Sequence, residues 1–448
     1  MATSRVFSSF PLDDDVIDRI LASLPDHETL FSMVRTCKAV YSVYKTHPKS
    51  ITRSVCKNIV GPALPQALLA ACRYHHDIFG ASLPEEKDEL ETGPISAEVG
   101  KALATNATTA WALEDLFSWR HKDRTNKSSQ LSCNESFRFQ RALYRFWLFS
   151  DVFGVALNPY EMDDIELDTM HGAQSKFLKQ FPTQELKELE RVAAFLRETV
   201  QWVKKGFHAD DFVDEIVGYA LSVGPRAILE TFRDQNFEAI FEASSTSGDA
   251  EEDNFSHSDI AEFFFKALTP ILKTRDSKIP DTGLSYEGIL LNDVAGRDDP
   301  CAHCGVPSGL RLWNETNWQF VGVDIFTSRT IMTLLKGKLA RNASEADQIF
   351  STLESNMFVA TMAAMMELRT GPFADLTPQD WLCENCIREF LRAHLNAWWL
   401  DQRRKRGEVI QDDCWYGWSC RTQVHRLPHA MKLNHFCKPT RGDDVEDE

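Results

Sequence analysis

FPLDDDVIDRILASLPDHETLFSMVRTCKAVYSVY, residues 10–44, is the stretch on which the reading of this chain turns. Leu12, Val16, Ile17, Ile20, Leu21 and Leu24 recur at helical spacing and define one broad apolar face, on a helix opened by three aspartates that complement its dipole. Pro25-Asp26 breaks this helix and caps a second, whose apolar residues are Leu30, Phe31, Val34 and Cys37. Thr36 is placed to cap a third helix carrying Val40, Tyr41, Val43 and Tyr44. Three short helices cannot bury all of that surface alone, so part of it is expected to face a partner.

The pattern resembles the F-box, the recruitment module of SCF-type ubiquitin ligases. The resemblance is carried by Phe10-Pro11, Val16-Ile17, Ile20-Leu21, Leu24-Pro25, Leu30, and Cys37 followed by Val40-Tyr41. Phe10 stands where the family opens on leucine, and no Trp closes the motif near Pro48. The continuation HPKSITRSVCKNIVGPALPQAL is similar to that of fungal F-box proteins. The resemblance implies that Pro11, Val16, Ile17, Ile20, Leu21, Leu24, Leu30 and Val34 dock a Skp-family adaptor, and through it a cullin.

Composition sets the bounds. A chain of 448 residues, 43% hydrophobic and 26% charged, is expected to fold as two or three globular units. A formal net charge of −17 argues against a general nucleic-acid binder. MATSRVFSSF holds no apolar signal core, and no apolar run reaches the length of a membrane span. A cytoplasmic or nuclear protein is expected, with Asn134-Glu-Ser and Asn342-Ala-Ser chance sequons.

Beyond residue 60 the periodicity is helical over 97–117, 138–154, 183–205, 212–233 and 259–273, with polar loops between and an acidic stretch at 243–256. The class expected is mainly α: an F-box-like unit over 1–60, a helical domain over 61–295, a helical region over 296–395 closed by metal, a finger over 396–440 and an acidic tail over 441–448. YRFWLF at 144–149 and NMFVATMAAMM at 356–366 read as core helices rather than ligand grooves.

Seven of the eleven cysteines lie after residue 300. In a reducing compartment, spaced pairs indicate metal rather than disulfides. Cys301-x2-Cys304 and Cys383-x2-Cys386 supply four thiolates, the set preferred by structural zinc. The second pair precedes a strong helix, IREFLRAHLNAWWLDQRRKR, whose N-terminus favours anionic sulfur. Seventy-eight residues separate the pairs, so a mostly helical insertion must return its ends to one point. Pro300-Cys301-Ala-His-Cys304 also satisfies half of the zinc-deaminase signature, but no H-x-E exists to complete it. Four thiolates would also leave no open catalytic position.

Between Asp413 and Cys437 stand six further candidate ligands: Cys414, Cys420, His425, His429, His435 and Cys437. Cys414, Cys420, His429 and His435 form the preferred set, C-x5-C-x8-H-x5-H, with His425 or Cys437 as alternates. Two structural zinc ions are therefore expected. The run Cys414-Trp-Tyr-Gly-Trp-Ser-Cys420 with its spaced histidines resembles the poly(ADP-ribose)-binding zinc finger, which implies Tyr416 and Arg421 as candidate ligand-binding residues. Arg421 stands where that family carries an aromatic residue, and Thr422 where it carries a basic one. Tyr-Gly-x-x-Cys-Arg is also similar to CCCH fingers of RNA-binding proteins, although their first cysteine has no counterpart near Lys405.

No G-x-S-x-G, G-x4-G-K-[ST] or H-E-x-x-H occurs. The expectation is a non-enzymatic substrate adaptor of an SCF-type ligase, its C-terminal region recognising a protein substrate. The alternative is a module binding poly(ADP-ribose) or RNA on a structural N-terminal scaffold.

Overall fold

The computed structural model describes residues 12–72, 95–154, 164–203, 213–245, 262–275, 285–321, 327–355 and 358–441. Within them the chain is mainly helical, with eighteen α-helices and two strands of two residues each. It divides into two compact units. The first comprises Met1–Trp119, Lys127–Arg197 and Asp214–Asp293; the second comprises Arg120–Asn126, Glu198–Val213 and Val294–Glu448. Pro11, the acidic stretch from 246 and the tail from 442 lie outside the described residues.

The first unit opens with α1 (Asp14–Ala22), α2 (His27–Val34), α3 (Lys38–Thr46) and α4 (Pro48–Val60). Asp13 is the N-cap of α1, with Asp14 and Asp15 in its first turn. Asp26 caps α2 by accepting from the Thr29 amide at 2.7 Å. The cap of α3 is Cys37 rather than Thr36, whose hydroxyl instead donates back to the Met33 carbonyl at 2.7 Å. The fourth helix completes the bundle. Asn58 on α4 donates to the carbonyls of Ala22 and Leu24 at 2.8 and 2.9 Å, satisfying acceptors that the end of α1 leaves open.

These helices share a core of Ile17, Leu21, Leu30, Val34, Val40, Val43, Ile51 and Val55. Four residues of the expected docking set lie in this core. Ile17, Leu21, Leu30 and Val34 are spent on the unit's own interior, because α4 brings Ile51 and Val55 against them. The apolar face of α1 is thus two stripes. Ile17 and Leu21 point inward, while Val16 is 42% exposed and Ile20, one turn on, is half-buried. Leu24 is half-buried as well.

The expected middle helices form with shifted ends: Ala97–His121, Cys133–Phe153, Thr183–Val203 and Phe265–Arg275. A capping box between Ser132 and Glu135 starts the second of these five residues earlier than its apolar periodicity indicated. The segment 212–233 divides into Val213–Val223 and Pro225–Asp234, because Gly224 takes a φ of +103° and Pro225 then starts a new helix. Tyr144 through Phe149 are all buried, as a core helix requires.

In the second unit the core includes Trp313, Trp318, Met362, Met365, Phe390, Trp398, Trp399 and Phe436. The helix Glu384–Lys405 runs through it, and the boundary expected at 395/396 falls inside that helix. Buried Glu345 accepts from the Trp399 indole N–H at 2.5 Å and from Arg403 at 3.1 Å, so one carboxylate ties the insertion to this helix. Asn342 and Gln423 are buried and share a hydrogen bond of 2.9 Å, which seats the C-terminal segment on the insertion and makes Asn342 unsuitable as a glycosylation acceptor.

Candidate metal centres

Two Cys/His clusters each bring four ligand atoms within 4.8 Å of one another: Cys301, Cys304, Cys383 and Cys386, and Cys414, Cys420, His429 and His435. Both could hold a metal ion. The first forms where a tight turn meets a helix N-terminus. The Gly305 amide donates to the Cys301 carbonyl and the Cys301 amide to the Val306 carbonyl, each at 2.9 Å; Gly305 closes the turn at a φ of +71°. Strand Leu312–Trp313 pairs antiparallel with Leu382–Cys383, setting Leu312 opposite Cys383. That two-residue ladder returns the long insertion to its start. Cys383 is then the N-cap of Glu384–Lys405, and Cys386 lies in its first turn.

The Sγ atoms of Cys304 and Cys383 are 3.7 Å apart. A disulfide would bring them to ~2.05 Å, whereas thiolates ~2.3 Å from a shared tetrahedral ion stand ~3.8 Å apart. Burial pushes the Cys301 thiol up, but backbone N–H groups of Cys304, Cys383 and His303 outweigh it and bring it down to about 7. Burial pushes Cys386 up, and the three neighbouring sulfurs push it further. Four crowded sulfurs resist joint ionisation; a bound cation reverses that balance and deprotonates them. His303 is not part of the set. Its ring stacks on Phe373 with centroids 4.5 Å apart.

The second cluster is the preferred set of the sequence reading. Cys414 and Cys420 are fixed by two short 3₁₀ turns, Gly417–Ser419 and Thr422–Val424. His429 projects from the helix Leu427–Lys432, and His435 follows the pairing of Asp413 with Asn434. His429 Nε2 lies 3.3 Å from Cys420 Sγ and 3.9 Å from Cys414 Sγ. These bracket the ~3.6 Å separation of a thiolate and an imidazole on one tetrahedral ion. Gly417, at a φ of +41°, packs so closely that a Cβ would stand 2.2 Å from the Cys437 carbonyl oxygen.

His435 supplies the sharpest detail. It is fully buried, and neither ring nitrogen makes a hydrogen bond of ordinary geometry, although a Leu433 backbone group lies close enough to act on the ring. Burial, with His429 alongside, pushes its pKa down to about 4, so the imidazole is held neutral with a lone pair to give. Of the alternates, His425 is exposed, and Cys437 turns its thiol to the Cys414 and Asn434 carbonyls at 3.3 and 3.4 Å. Tyr416 and Arg421 are both exposed on this finger. Trp415 was missed as a surface residue, although its place between a ligand and a ligand-facing turn left it little interior to enter; it is 59% exposed.

No family model, curated protein or solved structure matches the chain. Among the described residues, no helix is long and apolar enough to cross a membrane.

Proposed function

We propose that the protein is a non-catalytic substrate adaptor of an SCF-type ubiquitin ligase, its N-terminal bundle docking a Skp-family protein and its metal-bearing end holding substrate. The observation that supports this most is where apolar surface is left open. Of thirteen large hydrophobic side chains exposed among the described residues, four fall between Leu12 and Tyr41 and five between Val409 and Met431. A chain with open apolar surface near its two ends has two places to be covered. Bridging contributes proximity alone: it raises the effective concentration of substrate at the ubiquitin-charged enzyme.

In this reading the docking surface is built on Val16, Ile20, Leu24, Phe31 and Tyr41, and both clusters carry structural zinc. Sulfur-rich and mixed sulfur–imidazole sets of four, closed to further ligands, suit a zinc ion that holds fold rather than one that activates water. The test is binding to an immobilised Skp-family adaptor. Val16→Asp with Phe31→Asp and Tyr41→Asp should abolish capture while leaving helix content unchanged, since all three side chains are at least 42% exposed. Undiminished capture by a folded triple variant would reject this interface.

A further inference from the structure

The two metal centres differ in how far their sulfurs are open to solvent. In the first, Cys304 is exposed, on a turn where Gly305, Val306 and Pro307 are exposed as well. Its companions Cys301, Cys383 and Cys386 are buried, at 2%, 8% and 2%. In the second, both sulfur ligands are buried, Cys414 and Cys420 at 3% each. Cys133 is the other exposed cysteine, and it belongs to neither cluster.

The exposed sulfur also has a second sulfur to meet. Cys304 Sγ lies 3.7 Å from Cys383 Sγ, across 79 positions of sequence. Cys301 is anchored: its sulfur accepts from the Cys383 amide at 3.3 Å, its amide donates to Val306 and its carbonyl accepts from Gly305. Cys386 is fixed within the first turn of its helix, whereas Cys383 stands at the N-cap and Cys304 on the open turn.

From this we infer that Cys304 and Cys383 form a peroxide-sensitive pair, in which oxidation of the exposed sulfur closes a disulfide and releases the metal of that centre alone. The Cys304 thiolate attacks one oxygen of the peroxide; the O–O bond breaks, hydroxide leaves and the sulfur becomes a sulfenic acid. The Cys383 thiolate attacks that sulfur, the S–O bond breaks, a second hydroxide leaves and the S–S bond forms. Two electrons pass from the pair to the peroxide. Cys301 and Cys386 then remain as two ligands of a four-ligand set, too few for a structural zinc ion. The new bond still joins the turn to the helix start, so the insertion between them keeps its ends together while the metal departs. Closure needs only the sulfur geometry; release needs the centre to be loaded, as the proposed function holds.

The experiment treats the full, zinc-loaded chain with hydrogen peroxide in a Cys133→Ser background. A chromogenic chelator follows released zinc, and the denatured, alkylated chain is mapped by tandem mass spectrometry. The first centre should lose its ion about tenfold faster than the second, in step with a Cys304–Cys383 linkage and with helix content retained, and dithiothreitol with zinc should reload it. Metal-stripped chain should form the same linkage. Cys304→His keeps a zinc donor in a Cys3His set without an oxidisable sulfur there, and should slow the first release by about tenfold or more. If that variant holds no zinc at the first centre, the linkage map of the chain retaining Cys304 decides. Linkage of Cys304 to Cys301 or Cys386 instead, equal release from both centres, or undiminished release from loaded Cys304→His would overturn the proposal.

Discussion

Replacing His435 by leucine has an outcome whose sign depends on whether metal is bound. Both ring nitrogens are buried without a hydrogen bond of ordinary geometry. If the imidazole served packing alone, each unsatisfied group would cost about 1–3 kcal/mol, and an apolar side chain of similar size would leave the protein as stable or more so. If His435 is a ligand, leucine removes one of four bonds from a site whose binding contributes ~10–16 kcal/mol, about 3–4 kcal/mol for that bond. That is a large share of a total stability of about 5–15 kcal/mol. The assay is urea unfolding followed by tryptophan fluorescence, with elemental analysis of the purified chain. His435→Leu should lose about one zinc per chain and shift the midpoint of the transition that reports the second unit down by on the order of 1–2 M. Full metal content with an equal or higher midpoint would refute the ligand assignment.

Gly417→Ala should also cost metal at this site. The added Cβ meets the Cys437 carbonyl oxygen at 2.2 Å and the backbone already has a positive φ, so a destabilisation of about 1–3 kcal/mol and slower zinc uptake are expected in chelator competition. Leu30→Ala, at a fully buried position, should destabilise the N-terminal bundle by about 2–5 kcal/mol in urea melts, whereas Val16→Ala should change it by less than about 1 kcal/mol.

Which side chains could share a metal ion was legible because donor chemistry is written in residue type and spacing. Six donors with few aliphatics between them left little else for residues 414–437 to do, and the four preferred ones converge. The four thiols converge too, but the two-residue ladder of Leu312–Trp313 with Leu382–Cys383 that brings them together is a long-range pairing that no local pattern announces. Periodicity located α1 to α3 correctly yet could not say which of two adjacent stripes faces inward. Val16 and Ile17 are equally apolar, and only the arrival of Ile51 and Val55 from α4 decides between them. The unit boundaries were hidden for the same reason. Arg120–Asn126 joins the second unit through contacts such as the Arg124–Asp299 ion pair at 2.6 Å, between residues 175 positions apart.

The measurement that bears most directly on the adaptor account is co-expression of the full chain with a Skp-family adaptor, followed by gel filtration and elemental analysis of the peak. A stable one-to-one complex carrying about two zinc ions per chain is the predicted result. A chain that elutes alone, whatever its metal content, would contradict the central claim.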